Sequence, residues 1–388
     1  PRTPRAREGI GQPDERTLQM IQRYSAYKDS GVEWIGEIPE HWEVKRVKYI
    51  SAVKVSSVDK HVFDDEIPVV LCNYTDVYKN EFINSEVLKS SGSCSQEELS
   101  KFSIKKGDVL ITKDSEDPAD MGVPAFVNDE LEDTVCGYHL AILRTHEQDL
   151  KGAFLFRQLQ TKYLRNYFEI NSFGITRFGL GKSAIESLLS LIPPISEQTQ
   201  IVEFLEAKTS LIDRLIAVKE RRIELLKEKR TALINHAVTK GLNPNVKMKV
   251  SGIEWIGDIP EHWEVKKLKY LGSISSGDTV SSELIIDDGQ FPVYGGNGIL
   301  GYYSRFNYDY GVLSIGRVGE KCGNVHLITE KCWINDNSLV FNNRYDTTDI
   351  RFVFYSLSIR NLNSLRNQNT QPLITGTMIK NEYLLTPP

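Results

Sequence analysis

The longest regular pattern lies in the middle of the chain. From Ser196 to about residue 238, apolar pairs recur every seven residues: Phe204-Leu205, Leu211-Ile212, Leu225-Leu226 and Ala232-Leu233, with Ile201 and Leu215 widening the stripe. An apolar heptad repeat sustained this long predicts a coiled-coil type of helix. Ser196 is placed to cap its start, Glu197 suits the positive end of the helix dipole, and Gly241 with Pro244 ends the run. A helix about 60 Å long cannot bury such a stripe alone. A partner helix is therefore expected, with Leu205, Leu211, Ile212, Leu225 and Leu226 as the candidate subunit interface. The stretch from Lys219 to Arg230 alternates acids and bases at i,i+4 spacing and reads as a solvated face.

On both sides the pattern changes to short apolar runs broken by turns. Residues 69–71, 108–112 and 140–143 read as strands, and 154–168 as one amphipathic helix. After the long helix, residues 291–294, 311–315 and 338–341 read as strands and 350–359 as a helix. The fold class is mixed α/β (α+β), with two bodies joined by a long coiled-coil-like helix.

Each body opens on the same words. Residues 31–50 read GVEWIGEIPEHWEVKRVKYI and residues 252–271 read GIEWIGDIPEHWEVKKLKYL, an offset of 252 − 31 = 221. Fifteen of the twenty positions are identical and the other five are conservative, so the chain is duplicated. The repeated Trp34/Trp255 and His41-Trp42/His262-Trp263 read as a packing latch. A weaker echo closes each copy: residues 190–194 (SLIPP) and 384–388 (LLTPP), an offset of 388 − 194 = 194, shared by Thr176/Thr370 and Ile185/Ile379. The second body is shorter, by 221 − 194 = 27 residues. Beyond this frame the bodies show little likeness, which suggests one mechanical role and two ligands.

Composition narrows the class. The 388 residues are 40% hydrophobic and 26% charged, ordinary for a globular protein, and no apolar run approaches the roughly 18 residues of a membrane span. Five scattered cysteines fit a reducing cytoplasm better than a disulfide framework. A net charge of −5 argues against nucleic-acid binding through bulk charge, so any DNA contact is expected to be local.

Catalytic and metal motifs are missing. Gly181-Lys182-Ser183 resembles the end of a phosphate-binding loop, but Thr176 stands where its first glycine belongs. Cys136 and His139 form one C-x-x-H without a second pair, and Asp117 and Asp120 lack the lysine spacing of a nuclease. The remaining chemistry is in the turns. Asn, Gln and Arg can read base edges and Lys can hold phosphate; were these bodies to bind DNA, the candidate contacts would be Lys113, Asn171, Thr176, Arg177, Lys182, Asn297, Arg317, Asn369, Thr370 and Gln371. Of these, 171–177 and 367–371 occupy equivalent places just before the two closing motifs.

The duplicated EWIG-x-IPEHWEV, the closing Ile192-Pro193-Pro194-x-x-Glu197-Gln198-x-x-Ile201 and the long helix resemble the specificity (S) subunit of type I restriction-modification enzymes, over about residues 24–388. The resemblance implies that the bodies are target recognition domains, each reading one half of a split site in double-stranded DNA. It implies that the helices space these domains and dock the modification subunits, which hold S-adenosylmethionine and methylate adenine. A separate restriction subunit would use ATP and Mg²⁺. The S subunit itself would bind no cofactor or metal and would catalyse nothing. The implied division is an extension of unclear origin at 1–23, a first recognition domain at 24–194, a spacer helix at 195–241 and a second recognition domain at 242–388. The family has a second conserved helix, and this sequence stops at Pro388, where that helix would start. The stripe is therefore expected to pair with a helix following Pro388 or with one from another copy. A coiled-coil scaffold with two protein-binding heads and a stand-alone nuclease are the other classes considered.

Overall fold

The two copies of the opening motif fold alike, strand for strand. The computed structural model describes residues 24–343, 348–366 and 372–388. Strand β1 (Tyr27–Asp29) pairs antiparallel with β2 (Glu37–Pro39), and β15 (Met248–Val250) pairs in the same register with β16 (Asp258–Pro260). Between the strands, Gly31, Gly36, Gly252 and Gly257 have φ of 73°, 72°, 77° and 68°. That left-handed conformation is strained for other residues, so the GVEWIG and GIEWIG words keep a glycine at each end.

The opening and closing motifs are two halves of one ribbon. Strand β3 (Glu43–Arg46) pairs with β14 (Leu189–Ile192), and β17 (Glu264–Lys267) pairs with β25 (Tyr383–Thr386). The bond from Val47 N–H to Leu188 C=O recurs from Leu268 N–H to Glu382 C=O, both at 2.8 Å. Helices α5 (Lys182–Ser187) and α8 (Gly376–Lys380) precede the closing strands and bury Ile185 and Ile379. Each motif needs the other to complete its backbone pairing, so both recur.

The chain divides into two units, Pro1–Arg214 and Leu215–Pro388. In the first, β4 (Ser51–Val55), β12 (Leu140–Thr145), β8 (Val109–Thr112), β10 (Pro124–Val127) and β6 (Phe82–Ile83) form one sheet in that order. In the second, β18 (Gly272–Ser276), β24 (Ser338–Asn343), β21 (Val312–Gly316) and β22 (Val325–Ile328) follow the same order. Each unit adds a three-stranded sheet. The first has β11 (Thr134–Cys136), β5 (Ile67–Cys72) and β7 (Ser90–Cys94); the second has β20 (Gly298–Tyr303), β19 (Phe291–Gly295) and β23 (Trp333–Ile334). In both, the middle strand has one parallel and one antiparallel neighbour. A two-residue ladder of β9 (Asp114–Ser115) on β13 (Phe178–Gly179) completes the strands of the first unit.

The bodies differ in sequence beyond their frame, yet they share a sheet order. Buried positions require apolar character and volume, so unlike sequences reach one topology. Leu143 opposes Val53 and Val109, and Phe341 opposes Ile274 and Leu313, at matching positions. The length difference lies mainly in one excursion. The first unit threads residues 73–108 between β5 and β8, the second only 296–311 between β19 and β21. The longer excursion carries α1 (Tyr74–Lys79) and α2 (Gln96–Phe102), the latter started by a Ser95/Glu98 capping box.

The helix expected over 154–168 is two helices, α3 (Gly152–Leu159) and α4 (Lys162–Ile170). Leu155 and Leu159 are four apart, and so are Leu164 and Phe168, and all four are buried. The step from Leu159 to Leu164 is five, one too many for a single helical stripe. Thr161, with ψ 148°, breaks the helix and restores the phase. In the second unit α7 (Ile350–Ile359) has the range the sequence predicts, and a 3-10 turn over Leu362–Leu365 follows it.

The long helix, α6, runs Ile195–Lys240, 46 residues or about 70 Å. Ser196 does not cap it. Gln198 N–H already donates to Pro194 C=O, so Pro194 is the cap and Ser196 lies in the first turn. Gly241 ends it with φ 75°. Among the described residues no helix is long and apolar enough to cross a membrane.

Candidate nucleic-acid interface

The strongest concentration of candidate residues follows the end of β8. Lys113 N–H donates to His139 C=O, and Lys113 C=O accepts from Leu180 N–H at 2.7 Å. The β9/β13 ladder draws residues 173–179 alongside, and Phe173 and Gly179 exchange backbone bonds at 3.1 and 2.9 Å. Gly174 is obligatory in this hairpin: a Cβ there would lie 1.9 Å from Arg177 C=O, at φ 147°. The tip is left in solvent, with Asn171, Thr176 and Arg177 exposed and Ile175 93% accessible.

Side chains connect the strand end to the hairpin. Lys113 Nζ forms an ion pair with the Asp114 carboxylate, and His139 Nδ1 lies 3.1 Å from the same carboxylate oxygen. Arg177 Nη2 is 2.6 Å from His139 Nε2 and 3.0 Å from its Nδ1. The Tyr138 ring lies against His139, centroids 3.6 Å apart. Burial holds the His139 pKa below its usual value; the Asp114 bond pulls the other way, and the positive charge of Arg177 opposes protonation. At neutral pH the ring is therefore uncharged.

The second unit builds an equivalent corner from other residues. Arg317 follows β21 as Lys113 follows β8. Its N–H donates to Asn337 C=O, and its C=O accepts from Ile374 N–H, both at 2.9 Å. Its Nη1 lies 3.5 Å from Ser276 Oγ. Gly296 packs its carbonyl on Gly316, where a Cβ would come within 2.1 Å. That approach brings the loop carrying the exposed Asn297 to the end of β21, and Asn297 Oδ1 accepts from Asn324 Nδ2 at 3.0 Å.

The structure thus brings Lys113, Thr176 and Arg177 into one place and Asn297 and Arg317 into another. Asn171 is exposed, but its amide donates to Tyr167 C=O and so closes α4. Lys182 is exposed in the first turn of α5, with Glu186 at 3.4 Å. Asn369, Thr370 and Gln371 lie outside the described residues. Sequence reasoning missed Asp114 as a partner and weighed His139 only as a metal ligand. Cys136, the other half of that C-x-x-H, is buried in β11 beside Cys72, and burial pushes its thiol pKa up. Asp120 accepts from Tyr78 at 3.1 Å, and Asp117 caps the Pro118–Asp120 turn. Among the described residues no cluster could hold a metal ion.

The His41-Trp42 word and the Glu197-Gln198 pair that follows the closing motif have structural work in the first unit. Glu197 accepts from Trp42 Nε1 at 2.9 Å and Tyr24 Oη at 3.0 Å, and pairs with His41 at 2.6 Å. Burial raises its pKa, but these bonds outweigh burial and hold it below the usual carboxylate value. Gln198 is fully buried; it accepts from Lys151 N–H and donates to Asp149 and Pro193 carbonyls. Trp34 stacks on Tyr163 of α4, and Trp255 lies over the Arg360 guanidinium at 5.2 Å. These contacts fit the latch reading.

The heptad stripe is uncovered. Leu205 is half-buried, and Leu211, Ile212, Leu225 and Leu226 are 47–58% accessible. In the second unit, Leu226, Leu233, Ile234, Ala237 and Tyr355 line an open cleft of ≈ 600 Å³.

Comparison with known proteins agrees with this architecture. A family model for the type I restriction modification DNA specificity domain matches residues 39–228 and 260–388. The chain assigned as the MjaX type I restriction enzyme specificity subunit of Methanocaldococcus jannaschii is 27% identical over 235 residues, 60% of this chain and 53% of that one. The chain spans about half the length of the curated relatives it matches. A chain solved in work on complex assembly and conformational transition of the type I R-M system superposes with a TM-score of 0.63 at 18% identity, over 90% of this chain and 87% of that one. The HsdS subunit from Thermoanaerobacter tengcongensis gives 0.51 at 18%, over 90% and 86%. At that identity the likeness speaks to the fold.

Proposed function

Because the chain belongs to the type I restriction-modification DNA specificity family, we propose that it supplies sequence recognition to a type I restriction-modification enzyme and performs no chemistry itself. Residues 24–194 and 242–388 are then two target recognition domains, each reading one half of a bipartite, asymmetric site in duplex DNA. Residues 195–241 join them and dock the modification subunits through the uncovered stripe of α6. In the assembled enzyme those subunits methylate adenine N6 with S-adenosylmethionine, and a restriction subunit translocates and cuts DNA with ATP and Mg²⁺. The setting is the cytoplasm.

One observation supports this reading above the rest. Two units with one sheet order carry a basic residue at the same strand end, Lys113 and Arg317, and surround it with unlike neighbours. A constant scaffold with variable polar corners is what reading two different half-sites requires, since Arg, Lys and Asn donate to base edges and phosphates. The test mixes purified chain with plasmid and Mg²⁺, alone and with modification subunits and S-adenosylmethionine. The expected result is no cleavage by the chain alone and site-specific adenine methylation by the complex. Cleavage by the chain alone would make it a nuclease.

A further inference from the structure

We propose that His139 and Asp114 are positioning residues for Arg177, holding its guanidinium as a base-edge donor to one half of the duplex target. The inference rests on the DNA-reading function proposed above and adds the device that orients one reader.

An arginine on an exposed hairpin is a poor reader unless something fixes it, because ordering its side chain on binding costs affinity. Here the fixing group is a mostly buried ring. The His139 side chain is 18% accessible, while Arg177 is exposed. A guanidinium only donates, so the 2.6 Å contact requires Nε2 of His139 to accept. The proton of a neutral ring then sits on Nδ1, which faces the Asp114 carboxylate at 3.1 Å. Arg177 Nη2 also lies 3.0 Å from Nδ1, so the guanidinium sits close to both ring nitrogens, and this tautomer gives it Nε2 as acceptor while Nδ1 donates to Asp114. Lys113 pairs with the same carboxylate and fixes Asp114 in turn. Among the described residues Arg177 hydrogen-bonds through Nη2 alone, which leaves Nε and Nη1 as free donors. The hairpin cannot rearrange easily, because Gly174 and Arg177 touch backbone to backbone.

The device titrates. Among the described residues the charged groups facing the ring are Asp114 and Lys113 from the strand end and Arg177 from the hairpin, and the Tyr138 ring also lies against it. Protonation turns Nε2 into a donor and sets a cation against Arg177. The bond is therefore present above the depressed His139 pKa and lost as pH falls through it. In the second unit Asn337 stands where His139 stands in the first, by its carbonyl bond to Arg317 N–H. Asn337 does not titrate. Acid should therefore blur the first half-site and leave the second sharp.

The test uses the chain reconstituted with modification subunits, its target found by selection from a random duplex pool. Binding is measured to the selected duplex and to every single-mismatch duplex. His139→Ala should lose roughly 5- to 100-fold of discrimination at a base pair of the first half-site, with second-half penalties unchanged. His139→Gln, whose amide oxygen can still accept, should restore discrimination and abolish its fall below pH 6.5, the ordinary histidine value. Wild-type mismatch penalties in His139→Ala would overturn the proposal. If that variant fails to fold, His139→Gln decides: a pH profile like that of wild type would overturn it. Failure of the wild-type complex to select any sequence would instead defeat the DNA-reading function itself.

Discussion

The two units are one frame built twice and one body built two ways, and they differ in what holds them. The frame is held by named words: paired left-handed glycines, a closing strand on an opening strand, and a repeated 2.8 Å backbone bond. The body is held by apolar volume, with Leu143 in one unit doing the work of Phe341 in the other. Sequence words persist where backbone geometry or a hydrogen bond demands a residue type. They dissolve where burial demands only size. The corners proposed to read DNA fall in the places bound by neither rule, at the strand ends after Thr112 and Gly316.

The largest effects should come from the cores, at matched positions. Phe341→Ala should destabilise by about 3–5 kcal/mol and Leu143→Ala by about 2–5 kcal/mol. Each should show in its own unit by hydrogen exchange, since the two sit in separate core clusters. Loss of protection in both units from either change would mean that they share one core.

Next comes the frame. Gln198→Ala leaves Lys151 N–H and two carbonyls without the buried amide and should cost about 2–3 kcal/mol in the first unit. Glu197→Gln is a pH experiment on the neighbouring residue. The Glu197 pKa is lowered in the folded chain, so its contribution is present above the unfolded carboxylate value of 4.5 and lost as pH falls through the folded value. The stability advantage of wild type over Glu197→Gln should shrink in acid, measured by denaturant titration across that range. An advantage that grows in acid would contradict the clamp.

Readout differences between the corners are smaller. Among the described residues the Arg317 side chain is held only by a 3.5 Å contact to Ser276, whereas Lys113 is locked to Asp114. Arg317→Ala should relax the second half-site by about 1–3 kcal/mol at one base pair. Lys113→Ala should act less directly, by loosening Asp114. Smallest is Lys182→Ala, which should weaken all duplexes alike and lower the salt slope by about one.

The sequence made the repeat, the strands and the end of α6 at Gly241 legible, because each rests on a local signal: identity, apolar runs, a glycine. It hid the break at Thr161, since Phe154 to Phe168 is apolar enough to pass as one stripe until the spacing of Leu159 and Leu164 is counted. It hid the start of α6 because Ser196 is a good cap in isolation, whereas the bond to Pro194 C=O decides the boundary. The shared sheet order was invisible because no residue type enforces it. The cluster was half legible. Lys113 and Arg177 were singled out by type, but His139 joins them across 26 and 38 residues of chain, through β11, β12 and the 173–179 hairpin. No spacing rule links such positions.

The central claim is that unlike corners on one scaffold read unlike half-sites. The most direct measurement is adenine methylome sequencing of a host carrying this gene with its modification subunits, compared with the same host carrying Arg317→Ala. The account predicts a split, asymmetric motif whose second half alone loses definition in the variant. Two identical inverted halves, or both halves blurring together, would contradict it.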